Sequence, residues 1–203
     1  MTIKILNLYA GIGGNRKLWG GDIEVTAIEY NPEIAKIYQD FFPNDKVIIA
    51  DAHQYLLEHF NEFDFIWSSP PCPSHSRIRK FSAVARGQNK PIYPDMKLYE
   101  EILLLQGYFK GKWIVENVVS WYKPLIEPQN RAKHFFWANF EIPEIQIKSR
   151  KHDCKIKDLQ EIKGFDLSKY KGLKTEKKLL LRNCVEPETA KIIFDAAFKE
   201  VKI

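Results

Sequence analysis

Cysteine is scarce in this chain. Three in 203 residues, widely spaced and odd in number, exclude a disulfide framework and give no zinc-ligand spacing. No apolar run approaches the roughly 18 residues of a membrane span. The N-terminus shows no signal-peptide pattern, because an apolar strand interrupted by Lys4 begins at once. Repeats and low-complexity tracts are absent. So is Gly-x-Gly-x-x-Gly, which disfavours a pyrophosphate-binding dehydrogenase. These absences leave a cytoplasmic protein with reduced thiols, one good core, no metal and no membrane contact as the expectation. The composition, 45% hydrophobic and 28% charged, is that of an ordinary globular chain.

What is present is an alternation of short apolar runs with helical patterns over the first 120 residues, the signature of a βαβ sheet. Strands are predicted at Ile3–Leu8, Val25–Ile28, Val47–Ala50, Phe63–Trp67, Trp113–Val118 and His134–Phe140. Helices are predicted near Asn15–Trp19, from Pro32, over Gln54–Phe60, Asp95–Phe109 and Glu188–Val201. Ser68–Pro94 reads as a long mobile loop, a length that inside a compact domain is usually functional. From Glu141 to Lys178 the pattern is weak and basic. The net charge of +5 is unevenly placed: Arg77–Lys97 carries +5 and Lys148–Lys178 carries +6, leaving −6 for the rest. Two basic segments on an acidic body predict a polyanion partner.

Two strand ends carry the chemistry. Phe65-Ile66-Trp67-Ser68-Ser69-Pro70-Pro71-Cys72-Pro73 runs a buried strand into a stiff proline turn, which holds a thiol at an exposed edge. Trp113-Ile114-Val115-Glu116-Asn117-Val118 ends a second strand in an acid and an amide. A thiolate that adds to an electron-poor pyrimidine carbon, and an acid that neutralises charge on the ring nitrogen, form a matched pair. Three further strand ends bear Tyr9-Ala10-Gly11-Ile12-Gly13-Gly14, Glu29 and Asp51. Glycines allow close backbone approach, Glu29 can bind ribose hydroxyls, and Asp51 can accept from an adenine amino group. The ligand implied is an adenosine without phosphates, and S-adenosylmethionine fits.

These motifs resemble, in order, those of the cytosine-5 methyltransferase family. Tyr9–Gly14 is similar to its first motif, and Glu29, Asp51 and Pro71-Cys72 to the next three. Glu116-Asn117-Val118 matches Glu-Asn-Val, and Gln129-Asn130-Arg131-Ala132-Lys133 matches Gln-x-Arg-x-Arg except at Lys133. Ile162-Lys163-Gly164-Phe165 and Asn183-Cys184-Val185-Glu186-Pro187 resemble the ninth and tenth motifs. The resemblance implies an α/β, S-adenosylmethionine-dependent methyltransferase (Rossmann-like) fold: a mostly parallel twisted sheet with helices on both faces, plus a small irregular C-terminal lobe. It divides the chain into a catalytic and cofactor domain at 1–140, a basic target-recognition lobe at 141–181, and a segment at 182–203 returning to the catalytic domain.

The implied activity is methyl transfer from S-adenosyl-L-methionine, leaving S-adenosyl-L-homocysteine, to carbon-5 of cytosine in DNA. Cys72 would be the nucleophile on carbon-6 and Glu116 the acid at nitrogen-3, with Arg131 and Lys133 orienting acid and base. Tyr9, Ala10, Gly11, Ile12, Gly14, Glu29, Tyr30, Asp51, Ala52, Pro71, Leu98, Asn183 and Val185 would hold the cofactor. Ser76, Arg77, Arg79, Lys80 and Arg86, with Lys148, Arg150 and Lys151, would grip the nucleic acid, and nearby cations would lower the Cys72 pKa. The target base must be flipped out of a duplex.

The chain departs from the family at Lys133, which lacks a planar bidentate fork, and at Arg182, where a glycine is usual. The recognition region is shrunk to about Glu141–Asp158, predicting loose sequence preference or a partner chain that supplies recognition. The same chemistry on RNA is the alternative substrate, and a weakly active nucleic-acid-binding subunit the alternative class. Amino-group methylation would want an aromatic residue where Cys72 stands. His75 and His152 read as surface or loop histidines, and Cys154 and Cys184 as structural. A prokaryotic or phage restriction-modification setting is the biological expectation.

Overall fold

The computed structural model describes residues 1–84, 86–87, 90, 92–146 and 154–199. Its centre is a seven-stranded sheet in the order β3-β2-β1-β4-β5-β7-β6. The strands are β1 Ile3–Leu8, β2 Ile23–Ile28, β3 Lys46–Ile48, β4 Phe65–Ser68, β5 Lys112–Val118, β6 Gln129–Arg131 and β7 His134–Ala138. The first five pair in parallel, while β7 runs antiparallel to both β5 and β6. The helices are α1 Pro32–Phe41, α2 Ala52–His59, α3 Lys97–Tyr108, α4 Ile156–Lys163, α5 Lys177–Asn183 and α6 Pro187–Ala197.

Strand periodicity of two decides which helix goes where. Leu6, Leu8, Ile66 and Val115 face α2 and α3 through Leu56, Leu98, Ile102 and Leu105. Ile5, Phe65, Trp67 and Ile114 face the other way, onto Trp19 and the α6 residues Ala190, Ile193 and Phe194. Trp19 stacks on Phe194 with ring centroids 5.0 Å apart. Each large apolar side chain buried this way contributes about 1.5–3 kcal/mol. Helices on both faces of a mostly parallel sheet give the Rossmann-like architecture anticipated from the motifs. No helix of the described residues is long and apolar enough to cross a membrane.

The departures have local causes. The first predicted helix is one 3-10 turn at Arg16–Leu18, confined between Gly13-Gly14 and Gly20-Gly21. β6 was too short and polar to register as a strand. It closes on β7 through a two-residue loop, Ala132-Lys133, with φ of +49° and +63°. The basic stretch after Glu141 contains α4 and α5, short helices that each bury only two residues. Leu159, Phe165, Leu167, Leu180 and Leu181 pack on Ile12 of the glycine turn and Ile37 of α1. Tyr170 and Lys169 fasten this lobe to Asp40 at 2.9 and 3.2 Å. Its described part thus packs against the glycine turn after β1 and against α1.

Ser68–Pro94 is not a free loop where it follows Cys72. The carbonyl of Cys72 accepts from the backbone N–H groups of both His75 and Ser76 at 3.0 Å. Ser76 bridges to Ser120, and Arg77 Nε donates to the Ser120 carbonyl at 2.8 Å. His75 is no surface residue: it is 1% exposed, with Nδ1 at 2.6 Å from the Tyr122 hydroxyl, and burial lowers its pKa. Buried imidazole anchors the turn that presents the thiol.

Candidate active site

The carboxyl ends of β1 to β5 converge on a cavity of about 820 Å³. The β1 end provides Tyr9 to Gly14, and the β2 and β3 ends provide Glu29 and Asp51. The β4 end provides Ser69 to Pro73 and the β5 end Glu116 to Val118. The sheet order changes direction between β1 and β4, which is where open α/β sheets bind ligands. The C-terminal segment closes the cavity with Leu179, Arg182, Asn183, Cys184 and Val185.

On the cofactor side, Glu29 accepts from the Gly11 N–H through Oε2 and from the Asn31 N–H through Oε1, both at 2.9 Å. This carboxylate therefore shapes the glycine turn and keeps lone pairs for a donor in the cavity. Asp51 caps α2 by accepting from the Gln54 N–H at 2.9 Å, which holds its carboxyl below the usual range. Gly11 has φ +56°, and nothing lies within 4 Å of where a Cβ would stand, so a ligand can reach the backbone. Gly14 is required for the opposite reason: a Cβ there would strike Cys184 Sγ and the Val185 backbone. Tyr9 lies at φ +55° and anchors this turn by donating from its hydroxyl to Glu101 at 2.6 Å.

Glu101 is fully buried and also accepts from the Ser68 hydroxyl at 2.6 Å, with His53 Nδ1 at 3.1 Å. It ties the ends of β1 and β4 to α2 and α3. Nothing in the spacing of the sequence singled it out.

On the catalytic side, Asn117 donates from Nδ2 to the Pro70 carbonyl at 3.0 Å, locking the proline turn to the end of β5. Glu116 is 9% exposed and Cys72 is half-buried. The Cys72 thiol is not activated in the free protein. Burial pushes its pKa up, and the negative charge of Glu116 pushes it further. The expected lowering by neighbouring cations is thereby corrected: Arg77 is engaged with Ser120, and Lys80 lies over the Trp121 ring at 4.5 Å. With the Glu116 charge removed, less thiol holds its proton. At about neutral pH, Glu116→Gln is expected to speed alkylation of Cys72 by iodoacetamide severalfold, read by mass spectrometry. An unchanged rate would separate the two groups.

All the sequence-predicted cofactor residues line the cavity except Leu98, which is buried in the core under α2. Cys72 and Glu116 meet there as well. Arg131 and Lys133 do not. Arg131 Nε donates to the Ile142 carbonyl at 2.9 Å and its guanidinium pairs with Glu144 at 3.3 Å. Lys133 is exposed at the hairpin turn. His134 takes the place beside the acid, with Nε2 at 3.7 Å from Glu116 Oε1. Ser76 and Arg79 belong to the pinned turn, where the Arg79 N–H donates to Ser76 Oγ at 3.4 Å, and Arg86 is exposed. Lys148, Arg150, Lys151 and His152 lie outside the described residues.

Cys184 is buried and its thiol pushed up to about 12, which makes it inert packing against Gly14. Lys163 is also buried, pairing with Glu186 at 2.7 Å and joining the ninth-motif segment to the tenth. Among the described residues, no group of three or more His, Cys, Asp or Glu could hold a metal ion.

The family model of C-5 cytosine-specific DNA methylase matches residues 3–120. The chain belongs to that family. It is 26% identical over 122 residues to the human tRNA (cytosine(38)-C(5))-methyltransferase, covering 57% of this chain and 30% of that protein. It is 32% identical over 88 residues to the Spodoptera frugiperda protein of the same name, covering 40% of this chain and 26% of that one. The match thus spans less than a third of the length of these relatives. In fold it is similar to the Entamoeba histolytica methyltransferase EhMeth, with a TM-score of 0.58 at 12% identity over 98% of this chain and 100% of that one. Members of the C-5 cytosine methylase family depend on S-adenosylmethionine, and the cavity suits that donor in size.

Proposed function

We propose that the chain methylates carbon-5 of cytosine in DNA through a transient Cys72 adduct. The observation that carries this reading is the meeting of Cys72 and Glu116 in one cavity with the glycine turn and Glu29. S-adenosylmethionine would be held by Gly11, Glu29, Asp51 and Asn183 and would supply an electrophilic methyl group. Cys72 Sγ bonds to carbon-6 of the ring, and Glu116 gives a proton to nitrogen-3 as the electron pair moves toward it. Carbon-5, now electron-rich, takes the methyl group. Loss of the carbon-5 proton then expels the thiolate and restores the aromatic ring.

The raised Cys72 pKa fits an enzyme that activates its nucleophile only when the base arrives. Once Glu116 gives its proton to the ring, the negative charge is balanced by a cationic base, and the thiolate forms beside an electrophile rather than beside a lone anion. The thiol and the acid lie within the cavity, so a cytosine in a duplex must leave its stack to reach them, at a cost of a few kcal/mol. The described part of the lobe packs on the glycine turn and α1, which fits loose sequence preference or recognition by a partner chain.

RNA is the second reading, favoured by the two tRNA-directed relatives. Incubation with 5-fluorocytosine-containing DNA and RNA distinguishes the two, because fluorine at carbon-5 cannot leave as a proton and traps the adduct. The expected result is a denaturation-stable complex with DNA that Cys72→Ala abolishes. A complex with RNA alone would move the assignment to RNA, and no complex with either would sink the mechanism.

A further inference from the structure

Glu116 must hold a proton to activate the ring, yet it is a nearly buried carboxyl with no Lys or Arg of the described residues within 4 Å. The sheet register explains what faces it. Glu116 lies opposite Phe136, and Val118 opposite His134, across the antiparallel β5–β7 ladder. His134 is therefore a diagonal neighbour of Glu116 on the same face. Arg131 pairs with His134 on the far side, one strand further out, and is turned to Ile142 and Glu144.

The hairpin also fixes the imidazole's tautomer. Its two-residue loop has both residues at positive φ, the geometry of a type I′ turn, although neither Ala132 nor Lys133 is the glycine or asparagine such turns favour. The strained turn places the Ala132 carbonyl at 3.2 Å from His134 Nδ1. A carbonyl only accepts, so Nδ1 carries the hydrogen. Nε2 is left facing Glu116 Oε1 at 3.7 Å. A lone pair there would oppose a carboxylate. The contact is attractive only with a proton between the two atoms, on one or on the other.

We propose that His134 is a positioning residue that keeps this shared proton on the Glu116 side chain's line to the target base. The proposal rests on the cytosine-methylating reading and deepens it. As the Cys72 sulfur bonds to carbon-6, the His134 Nε2–H bond breaks, Glu116 carries that one proton across its carboxylate, and the nitrogen-3 N–H bond forms, leaving neutral imidazole and an ionised Glu116. The proton returns by the same path when the ring expels the thiolate. An arginine beside the acid could not do this, because it never gives up its proton near neutral pH. The charged and titratable groups around the imidazole are Glu116 from β5, the Cys72 thiol coupled to it from the turn after β4, Arg131 from β6, and exposed Lys133 in the hairpin loop. Lys163, Arg182 and Glu186 line other parts of the same cavity.

Two measurements test it. In the first, rates of methyl transfer are followed across the neutral pH range for the unaltered protein, His134→Gln and His134→Arg. The unaltered protein is expected to lose rate on the alkaline side as the imidazole gives up its proton. His134→Gln is expected to lose turnover by about a hundredfold, within the usual range for a proton-transfer partner, without that alkaline limb and with the donor KM unchanged. His134→Arg is expected to keep the acid's partner and to lose the limb. In the second, which needs no substrate, the His134 ring is titrated by NMR with and without Glu116→Gln. A fall in its midpoint on removing the carboxylate supports the pair. Superimposable pH profiles for the unaltered protein and His134→Gln, or a midpoint indifferent to Glu116→Gln, would overturn the inference. Failure of the unaltered protein to methylate any cytosine would instead count against the proposed function, and the NMR titration would still decide the pair.

Discussion

Cys72→Ser is expected to leave a folded chain that binds its methyl donor normally and turns over at least about a thousandfold more slowly. The expectation comes from how the turn is held. The Cys72 carbonyl, not its thiol, accepts the two hydrogen bonds from His75 and Ser76, and Asn117 secures the neighbouring Pro70 carbonyl. A serine satisfies the same backbone, so only the sulfur's nucleophilicity is removed. Methyl transfer from labelled donor, paired with calorimetric titration of the donor, reads the two effects separately. Loss of donor binding together with turnover would show that the thiol is architectural.

Replacing Glu101 should cost stability on a comparable scale. Glu101→Ala strands two buried hydroxyls and an imidazole without their shared acceptor and opens a cavity beneath the sheet edge. Breaking a buried charged pair by removing one partner costs about 3–5 kcal/mol. For a chain of this size that lowers the Tm by about 6–20 °C. Donor affinity should fall as well, since Tyr9 holds the glycine turn through this carboxylate.

The pH dependence follows from His53. Its hydrogen bond to Glu101 raises the folded-state pKa above the ordinary imidazole value. The pair therefore contributes fully at pH below the unfolded imidazole pKa, and its contribution fades as pH rises through the raised folded value. Glu101→Gln should flatten that slope in chemical denaturation. A variant whose stability keeps the same slope would dissociate His53 from Glu101.

The sheet from β1 to β5 was legible because β1, β2, β4 and β5 carry buried apolar runs, and short, half-buried β3 still shows as Val47-Ile48 before Asp51. Leu8-Tyr9, Ile28-Glu29 and Ser68 through Cys72 all read correctly from that pattern alone. α4 and α5 were illegible for a physical reason: at eight and seven residues, each burying two, they are too short for their pattern to stand out in a charged stretch. The basic side chains of the lobe drew attention to a nucleic acid, while the described packing is made by Leu159, Phe165 and Leu181. His75 was misread because a polar residue in a polar stretch gives no sign that Tyr122 closes over it. His134 was overlooked for a different reason. Motif spacing assigned the acid's neighbours to Arg131 and Lys133, but cross-strand register decides proximity in a sheet, and no linear motif encodes register.

The contact between Gly14 and Cys184 has a consequence for synthesis on the ribosome. A nascent chain that has emerged through β7 owns all seven strands of the described residues, the thiol and the acid, yet it lacks a roof over the cavity. That roof must find its seat beside residues far earlier in the sequence, a long-range closure of the kind that slows folding. Methyl donor bound in the cavity is therefore expected to favour the closed arrangement over the open one through mass action.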